Sequence, residues 1–275
     1  MIGIVYRQYQ FSAQADGPYQ GQEFSIAFRS LLGKVLHEMV CKFSSIRCPN
    51  CLLRQNCDYT KLFETSALDK PKGPIYVINL TEIHQQAQSK FKIEVVLFSN
   101  EPKYHQDFWV KIFQKMGTDG VGKSRTQFQI NFLGVEDHFM TLPTDSSEPT
   151  TLNLKTLSPL RIIKDGVQSY LPSYSMILQS AYHRLMDLYP ELRGIFPYVN
   201  FNQAEQEKNI SAYFEKVIWN YYSTRQKKEI VFSGVEGRVK VAGNTFESEL
   251  FLLRFGEIAG IGKSIRFGLG HYRLE

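Results

Sequence analysis

The sequence predicts an α+β protein of 275 residues with two tandem domains, each with the element order β-α-β-β-α-β. Two observations support this fold class. Segments with helical spacing of apolar residues are interspersed with segments of strand-like alternation. A helix, a glycine-rich loop and a strand also follow one another twice in the chain. The β-α-β-β-α-β order is that of the ferredoxin-like, or RRM-like, fold. We place the domains at 1–145 and 151–275, because the intervening segment is polar and rich in turn residues.

The first domain is expected to begin with a strand at 2–14 and a helix at 23–40. Apolar residues of that helix recur every three or four positions, as in a helix that packs on a sheet. They are Phe24, Phe28, Leu31, Val35 and Met39. Arg29, Gly33 and His37 fall four apart on the opposite face, which we expect to be exposed. The remaining elements are strands at 74–80 and 90–99, a helix at 104–116 and a strand at 126–135.

The second domain repeats this order with a longer middle part. Its predicted elements are a strand over 152–163, helices at 173–189 and 203–222, a hairpin over 229–241, a helix at 246–254 and a last strand. The hairpin is expected to turn at Gly234–Gly237, because glycines commonly mark turns.

All four cysteines lie in one short segment, with the spacing C-x6-C-x2-C-x5-C. Disulfides rarely persist in a reducing cytosol. Four thiolates that include the close pair Cys48 and Cys51 suit the tetrahedral coordination of a structural zinc ion. Free buried thiols and an iron–sulfur cluster are the alternatives. The sequence thus predicts a cysteine-rich insertion in the first domain, with Cys41, Cys48, Cys51 and Cys57 as metal ligands.

The end of the chain is a glycine-rich loop in which two Gly-x-Gly triplets flank a short basic segment, residues 260–270. Glycine adopts positive φ and lets another backbone approach closely, so such a loop is able to turn amide N–H groups toward a phosphate. Lys263 and Arg266 would add cationic side chains to the same site. The alternative is a simple turn between two core elements.

A second copy of the loop lies near the midpoint, where Gly117 to Ser124 also fits the Walker A pattern. That motif binds nucleotide when a strand enters the loop and a helix leaves it. Here the predicted order is reversed, so we do not expect an ATP or GTP site. Lys123 and Arg125 form a second candidate phosphate contact, although this copy lacks the second glycine triplet.

Composition places further bounds on the protein. The net charge is +5, a mild basic bias that is compatible with nucleic acid. No apolar run approaches the ~20 residues that span a bilayer, and the first residues do not resemble a signal peptide. We therefore expect a cytoplasmic protein without a membrane partner.

The tail pattern resembles the glycine-rich loop of the RAMP superfamily of RNA-binding proteins. Further features resemble its CRISPR-associated endoribonuclease branch, the Cas6 family. These are the first helix over 28–33, the cysteine segment that runs into Tyr59 and 62–64, the midpoint loop, and the strand over 157–161. The resemblance covers nearly the whole chain.

The resemblance implies a protein that binds the repeat of a CRISPR precursor transcript, cuts it once per repeat and retains the product. The ribose 2′-hydroxyl would attack the adjacent phosphorus, leaving a 2′,3′-cyclic phosphate and a 5′-hydroxyl without any metal cofactor. This chemistry needs a general base, a general acid and cations beside the phosphorus. Expected partners besides the RNA are subunits of CRISPR effector complexes or adaptation proteins.

His37 is the first candidate for the catalytic group, because histidine exchanges protons near neutral pH and the family often carries a histidine in or after the first helix. Arg29, Lys263 and Tyr19 complete the candidate catalytic set, and His271 is the rival histidine. The tail residues expected to contact RNA are Gly260, Gly262, Lys263, Ser264, Arg266, Gly268, Gly270 and His271.

Two other functions compete with this one. A non-catalytic, RNA-holding RAMP subunit of an effector complex would have the same folds and the same loop but would not cut RNA. A nucleotide-binding enzyme would use the midpoint loop, and its ATP binding would depend on Lys123.

Overall fold

A computed structural model describes most of the chain. The described residues are 2–15, 24–69, 73–85, 88–99, 104–122, 125–144, 146–223 and 228–275. Contacts between Cα atoms divide the chain into two compact units, one of residues 5–138 and the other of 139–275 together with the first four residues. We call them the amino-terminal unit and the carboxy-terminal unit.

The amino-terminal unit has the predicted β-α-β-β-α-β order. Its elements are β1 (Gly3–Ala15), α1 (Phe24–Val40), α2 (Asp58–Leu62), β2 (Tyr76–Gln85), β3 (Gln88–Leu97), α3 (Gln106–Asp119) and β4 (Phe128–Thr141). The four strands form one sheet in the order β2-β3-β1-β4. The short helix α2 is an addition between α1 and β2 and follows the cysteine segment. The ferredoxin-like prediction is therefore confirmed for this unit.

The core of this unit lies between the sheet and the helices α1 and α3. Phe11 of β1 packs edge-on against Phe113 of α3, with ring centroids 4.7 Å apart. Trp109 and Phe28 are also almost completely buried. Burial of large aromatic side chains of this kind contributes much of the stability of a small domain.

The predicted orientation of α1 needs a correction. Phe28 and Val35 are buried as expected, but Met39 is 39% exposed and Arg29 only 2% exposed. The face with Arg29 and Gly33 is thus covered, because the ring of Phe63, just after α2, lies directly on Gly33. Helical periodicity shows which residues share a face, but it does not show that a later segment will cover a second face.

The carboxy-terminal unit is also ferredoxin-like and contains a small additional hairpin. Its elements are β5 (Ser147–Thr156), β6 (Ile162–Lys164), β7 (Val167–Ser169), α4 (Tyr174–Leu188), α5 (Phe201–Gln206), β8 (Asn209–Ser223), β9 (Lys228–Phe246), α6 (Glu247–Ala259) and β10 (Tyr272–Leu274). The main sheet has the order β10-β5-β9-β8, while β6 and β7 form a separate two-stranded sheet.

Four predictions in this unit were wrong. Residues 147–150, which we assigned to the linker, form the start of β5, and the predicted strand over 152–163 is divided into β5 and β6. Most of the predicted helix at 203–222 is the strand β8, which is paired with β9 along its whole length. Its aromatic and β-branched residues suit a strand, and that preference outweighs the accidental helical spacing.

The predicted turn at Gly234–Gly237 was also wrong, because both glycines lie inside the continuous strand β9. A Cβ atom on Gly234 would lie 2.7 Å from the Pro159 side chain, and one on Gly237 would collide with the Tyr213 carbonyl. These glycines are therefore explained by the close approach of a neighbouring backbone or ring.

In the described part of the chain, no helix combines the length and the apolar character that crossing a membrane requires.

Candidate nucleic-acid interface

The glycine-rich loop follows α6 and leads into β10, as the sequence predicted. Gly260, Gly262, Gly268 and Gly270 all have positive φ, between 68° and 85°. Residues with a side chain rarely adopt such angles, so each glycine satisfies a backbone requirement. A Cβ on Gly270 would also collide with the Ile261 carbonyl. The spacing of the glycines is thus explained by the path of the loop.

The backbone amides of the loop are largely occupied by acceptors within the protein. Gly262 donates to Ser180 Oγ at 2.8 Å, and Lys263 donates to the Arg161 carbonyl at 2.8 Å. Amides at Ile261, Phe267, Gly268, Gly270 and His271 also donate internally. The expectation that the loop cradles a phosphate with its amides is therefore not supported at these positions. The cationic side chains of the loop are those of Lys263, which is exposed, and Arg266, which is half-buried.

His271 is 8% exposed and lies inside the unit. Its amide donates to Ser158 Oγ at 3.0 Å, and its carbonyl accepts the amides of Leu157 and Ser158. These backbone contacts join the end of the loop to the segment after β5. The structure does not support it as the rival catalytic histidine or as an RNA contact.

The midpoint loop connects α3 to β4, in the order helix, loop, strand. Gly120 and Gly122 have positive φ, as does Arg125 at 50°. Val121 and Thr126 form a β-bridge across the loop. This order is the reverse of the one that a Walker A site needs. Arg125 is exposed, whereas Lys123 lies outside the described residues.

His37 lies near the carboxyl end of α1 and is half-buried. Its imidazole packs edge-on against the ring of Tyr59 in α2, with centroids 4.9 Å apart and an interplanar angle of 78°. This packing limits the orientations that the ring can adopt. Arg29, two turns earlier, is buried and so is not placed to contact a phosphate. Tyr19 lies outside the described residues.

The four cysteines are half-buried and not joined by disulfides. Cys48 begins a short 3-10 turn, and Cys51 closes it by donating its amide to the Cys48 carbonyl at 3.1 Å. Burial raises the pKa of Cys48, and the charges of Glu64, Cys41, Cys57 and Cys51 raise it further. Among the described residues, however, no three His, Cys, Asp or Glu side chains are arranged to hold a metal ion. Zinc binding stays a prediction.

The main sheet of the carboxy-terminal unit carries a feature that sequence reasoning missed. Arg273, Lys155, Arg238 and Tyr213 are consecutive cross-strand neighbours on β10, β5, β9 and β8. We call these four residues the basic row. Residues that pair directly across strands share a face of the sheet.

The opposite face of the same strands is buried, since Leu154 is 4% and Val239 2% exposed. Arg238, Arg273 and Tyr213 are exposed and Lys155 is half-buried. Within the described parts of the chain, the three cations of the row form no ion pair. Adjacent like charges repel one another, so an anionic partner would stabilise the row. The alternation of cations with valines over 238–241 was the available sequence signal, but the register was needed to show the row.

Comparisons with known proteins agree with this description. A family model described as the CRISPR-associated endoribonuclease Cas6 matches residues 154–272. A model described only as an N-terminal domain matches residues 4–146. No curated protein sequence matches the chain.

Solved structures show the same fold over nearly the full length. A product complex of a Cas6 protein is 11% identical, with a TM-score of 0.58 over 98% of this chain and 99% of that chain. Cas6 from Thermus thermophilus is also 11% identical, with a TM-score of 0.52 over 100% of both chains. This likeness confirms two ferredoxin-like domains in one chain.

Proposed function

From the match of residues 154–272 to the Cas6 endoribonuclease family model, we propose that the chain is a Cas6-type endoribonuclease that cuts the repeat RNA of precursor transcripts and keeps the product bound. The observation that carries this proposal is the glycine-rich loop. Four positive-φ glycines and a set of internal hydrogen bonds fix its backbone, while the Lys263 side chain stays exposed. A fixed loop that presents a cation is suited to binding a phosphodiester.

The proposed reaction is a transesterification within the RNA that needs no metal. The 2′-oxygen forms a bond to the adjacent phosphorus as its proton passes to a base. The bond from phosphorus to the 5′-oxygen breaks as an acid supplies a proton to that oxygen. The products are a 2′,3′-cyclic phosphate and a 5′-hydroxyl, so no water is consumed.

His37 is the side chain that we assign to proton transfer. Histidine serves as acid or base near neutral pH. The edge contact with Tyr59 holds the imidazole of His37 in place, and a fixed orientation favours proton transfer along one direction. Because Arg29 is buried, other cations have to stabilise the negative charge that develops on the phosphorane.

In this proposal, RNA binding rests on cationic side chains of the carboxy-terminal unit. We propose that Lys263 and Arg266 bind backbone phosphates at the loop, and that the basic row binds the backbone elsewhere on the RNA. Tyr213, at the end of the row, is 65% exposed and offers a ring on which a base can stack. Gly260, Gly262, Ser264, Gly268 and Gly270 shape the loop and are not themselves phosphate ligands in this proposal.

The test is cleavage of an end-labelled cognate repeat RNA in EDTA, with RNA binding measured in parallel. We expect the wild type to cut and to leave a cyclic phosphate. His37→Ala should lower the cleavage rate by about 100-fold or more and leave the affinity for RNA nearly unchanged. The matched control is His183→Ala, since His183 is exposed on α4 and should be replaceable without effect.

Other outcomes would change the proposal. Cleavage that requires added divalent metal would contradict the mechanism. Cleavage that survives in His37→Ala would remove His37 from the reaction and direct attention to Lys263. Binding without any cutting by the wild type would make the chain an RNA-holding subunit and would contradict the proposed reaction.

A further inference from the structure

Arg161 lies between β5 and β6 and contacts the glycine-rich loop with both its backbone and its side chain. Its carbonyl accepts the Lys263 amide at 2.8 Å. Its guanidinium Nη1 donates to Ser264 Oγ at 3.2 Å, and its Nε donates to Gln168 Oε1 at 3.3 Å. One arginine thus joins the loop to the β6–β7 hairpin.

The backbone conformation of Ser264 is one that other contacts must stabilise. This residue adopts the left-handed region, with φ 67° and ψ 20°, which is unfavourable for a residue with a side chain. Its carbonyl accepts the Phe267 amide at 2.8 Å and so starts the 3-10 turn Ile265–Phe267. A change of φ at Ser264 would alter the directions in which Lys263 and Arg266 extend.

The other end of this turn is held by the same part of the unit. Phe267 packs against Phe232 of β9, with ring centroids 4.8 Å apart. Ser233, the next residue of β9, donates its hydroxyl to Gln168 Oε1 at 3.0 Å. Strand β9 therefore contacts the turn directly, because Phe232 packs on Phe267. The β6–β7 hairpin contacts the turn through Arg161, which bonds to both Gln168 and Ser264.

We propose that Arg161 is a positioning residue that holds Ser264 in the left-handed conformation, so that Lys263 and Arg266 meet the RNA backbone in one fixed orientation. The proposal deepens the proposed function and rests on it, since the loop must bind RNA for its orientation to matter. The charge of Arg161 is secondary in this account. Its two hydrogen bonds, to Ser264 and Gln168, are what act on the loop.

The first test separates hydrogen bonding from charge. Arg161→Ala should weaken binding of the repeat RNA by about tenfold, the change that ~1.4 kcal/mol represents. The matched control is Lys164→Ala, which removes an exposed cation on β6 and should change the affinity by less than about twofold. Arg161→Lys keeps the charge but cannot reproduce the two-sided contact, so it should resemble Arg161→Ala.

The second test is a rescue that a general structural role or a charge effect would not produce. Glycine adopts φ near 67° without strain. Ser264→Gly should therefore have little effect alone and should restore most of the affinity lost in Arg161→Ala. Equal losses in Arg161→Ala and Lys164→Ala, or no rescue by Ser264→Gly, would overturn the proposal.

A measurement on the free protein keeps this inference separate from the proposed function. Arg161→Ala should speed hydrogen exchange at the amides of Phe267 and Gly268, which bond to the Ser264 and Ile265 carbonyls, and Ser264→Gly should partly reverse this. Unchanged exchange would overturn the positioning role. A wild type that binds no repeat RNA would instead contradict the proposed function, while the exchange result would still decide whether Arg161 positions the loop.

Discussion

The imidazole of His37 and the ring of Tyr59 meet edge to face, with centroids 4.9 Å apart. Tyr59 in turn stacks on Phe63 at 5.6 Å and 23°, and the Phe63 ring covers Gly33 of α1. The helix that carries the candidate catalytic histidine is thus packed against the segment that follows the cysteines. The segment that follows the cysteines therefore helps to hold His37 in position.

Gly33→Ala tests this packing. The added methyl group would collide with the Phe63 ring, so we expect a loss of unfolding free energy of about 1–3 kcal/mol, typical of overpacking. Displacement of Phe63 would also disturb Tyr59 and slow cleavage more than it weakens RNA binding. Chemical denaturation and single-turnover cleavage measure the two effects. Gly134→Ala on β4 is the control, because no atom lies within 4 Å of the new methyl position; an equal loss there would contradict the argument.

The cysteine segment provides a metal prediction. We expect the purified protein to contain about one zinc ion per chain, bound by the four thiolates in a tetrahedral site. Elemental analysis measures the content, and cobalt substitution would give the absorption bands of thiolate coordination. Cys51→Ser should lower the zinc content and the melting temperature, whereas Ser45→Ala, an exposed residue of the same segment, should not. If the purified wild type contains no metal and chelators do not change its melting temperature, the zinc prediction is wrong and the four cysteines are free thiols.

The basic row provides a prediction about salt dependence. Arg238→Ala should weaken RNA binding and reduce the slope of log affinity against log salt by about 0.7, the value for one phosphate contact on a single strand. Affinities at several salt concentrations test this. Arg193→Ala removes an exposed cation of the same unit that lies outside the row, and its slope should equal that of the wild type. An unchanged slope in Arg238→Ala would remove the row from the RNA interface.

The ion pair between Arg7 and Asp137 is expected to make a small, pH-dependent contribution to the free energy of unfolding. Hydrogen bonds from Arg7 Nε and Nη2, at 2.5 and 2.8 Å, lower the pKa of Asp137 below its ordinary value of 3.8. A carboxylate with a lowered pKa stabilises the fold above its unfolded pKa, and this stability is lost as the pH falls through the folded pKa. Asp137→Asn should therefore be less stable than the wild type at pH 7, and the difference should shrink below about pH 4.

The size of that effect is limited by solvent, because Asp137 is 56% exposed. We expect at most about 1 kcal/mol at pH 7, measured from melting temperatures between pH 7 and pH 3. Asp165→Asn is the control, since asparagine tolerates the φ of 51° at that exposed turn. A difference for Asp137→Asn that does not vary with pH would contradict the assignment.

Much of the fold follows from local sequence patterns. The amino-terminal unit has its elements in the predicted order, because hydrophobic periodicity and glycine positions act over a few neighbouring residues. The error at β8 has the same origin, since the spacing of Phe214, Ile218 and Tyr221 fits a helix until the pairing with β9 is known.

The sequence by itself determined the two ferredoxin-like domains, the glycine-rich loop and the identity of the candidate histidine. The positions of glycines and the spacing of apolar residues are local properties of the sequence, so they can be read without a structure. Only the tertiary structure decided that Arg29 is buried, that most of the loop amides are already bonded, and that Arg238 lies beside Lys155. Each of these depends on contacts between segments far apart in the chain, and neither propensity nor spacing contains that information.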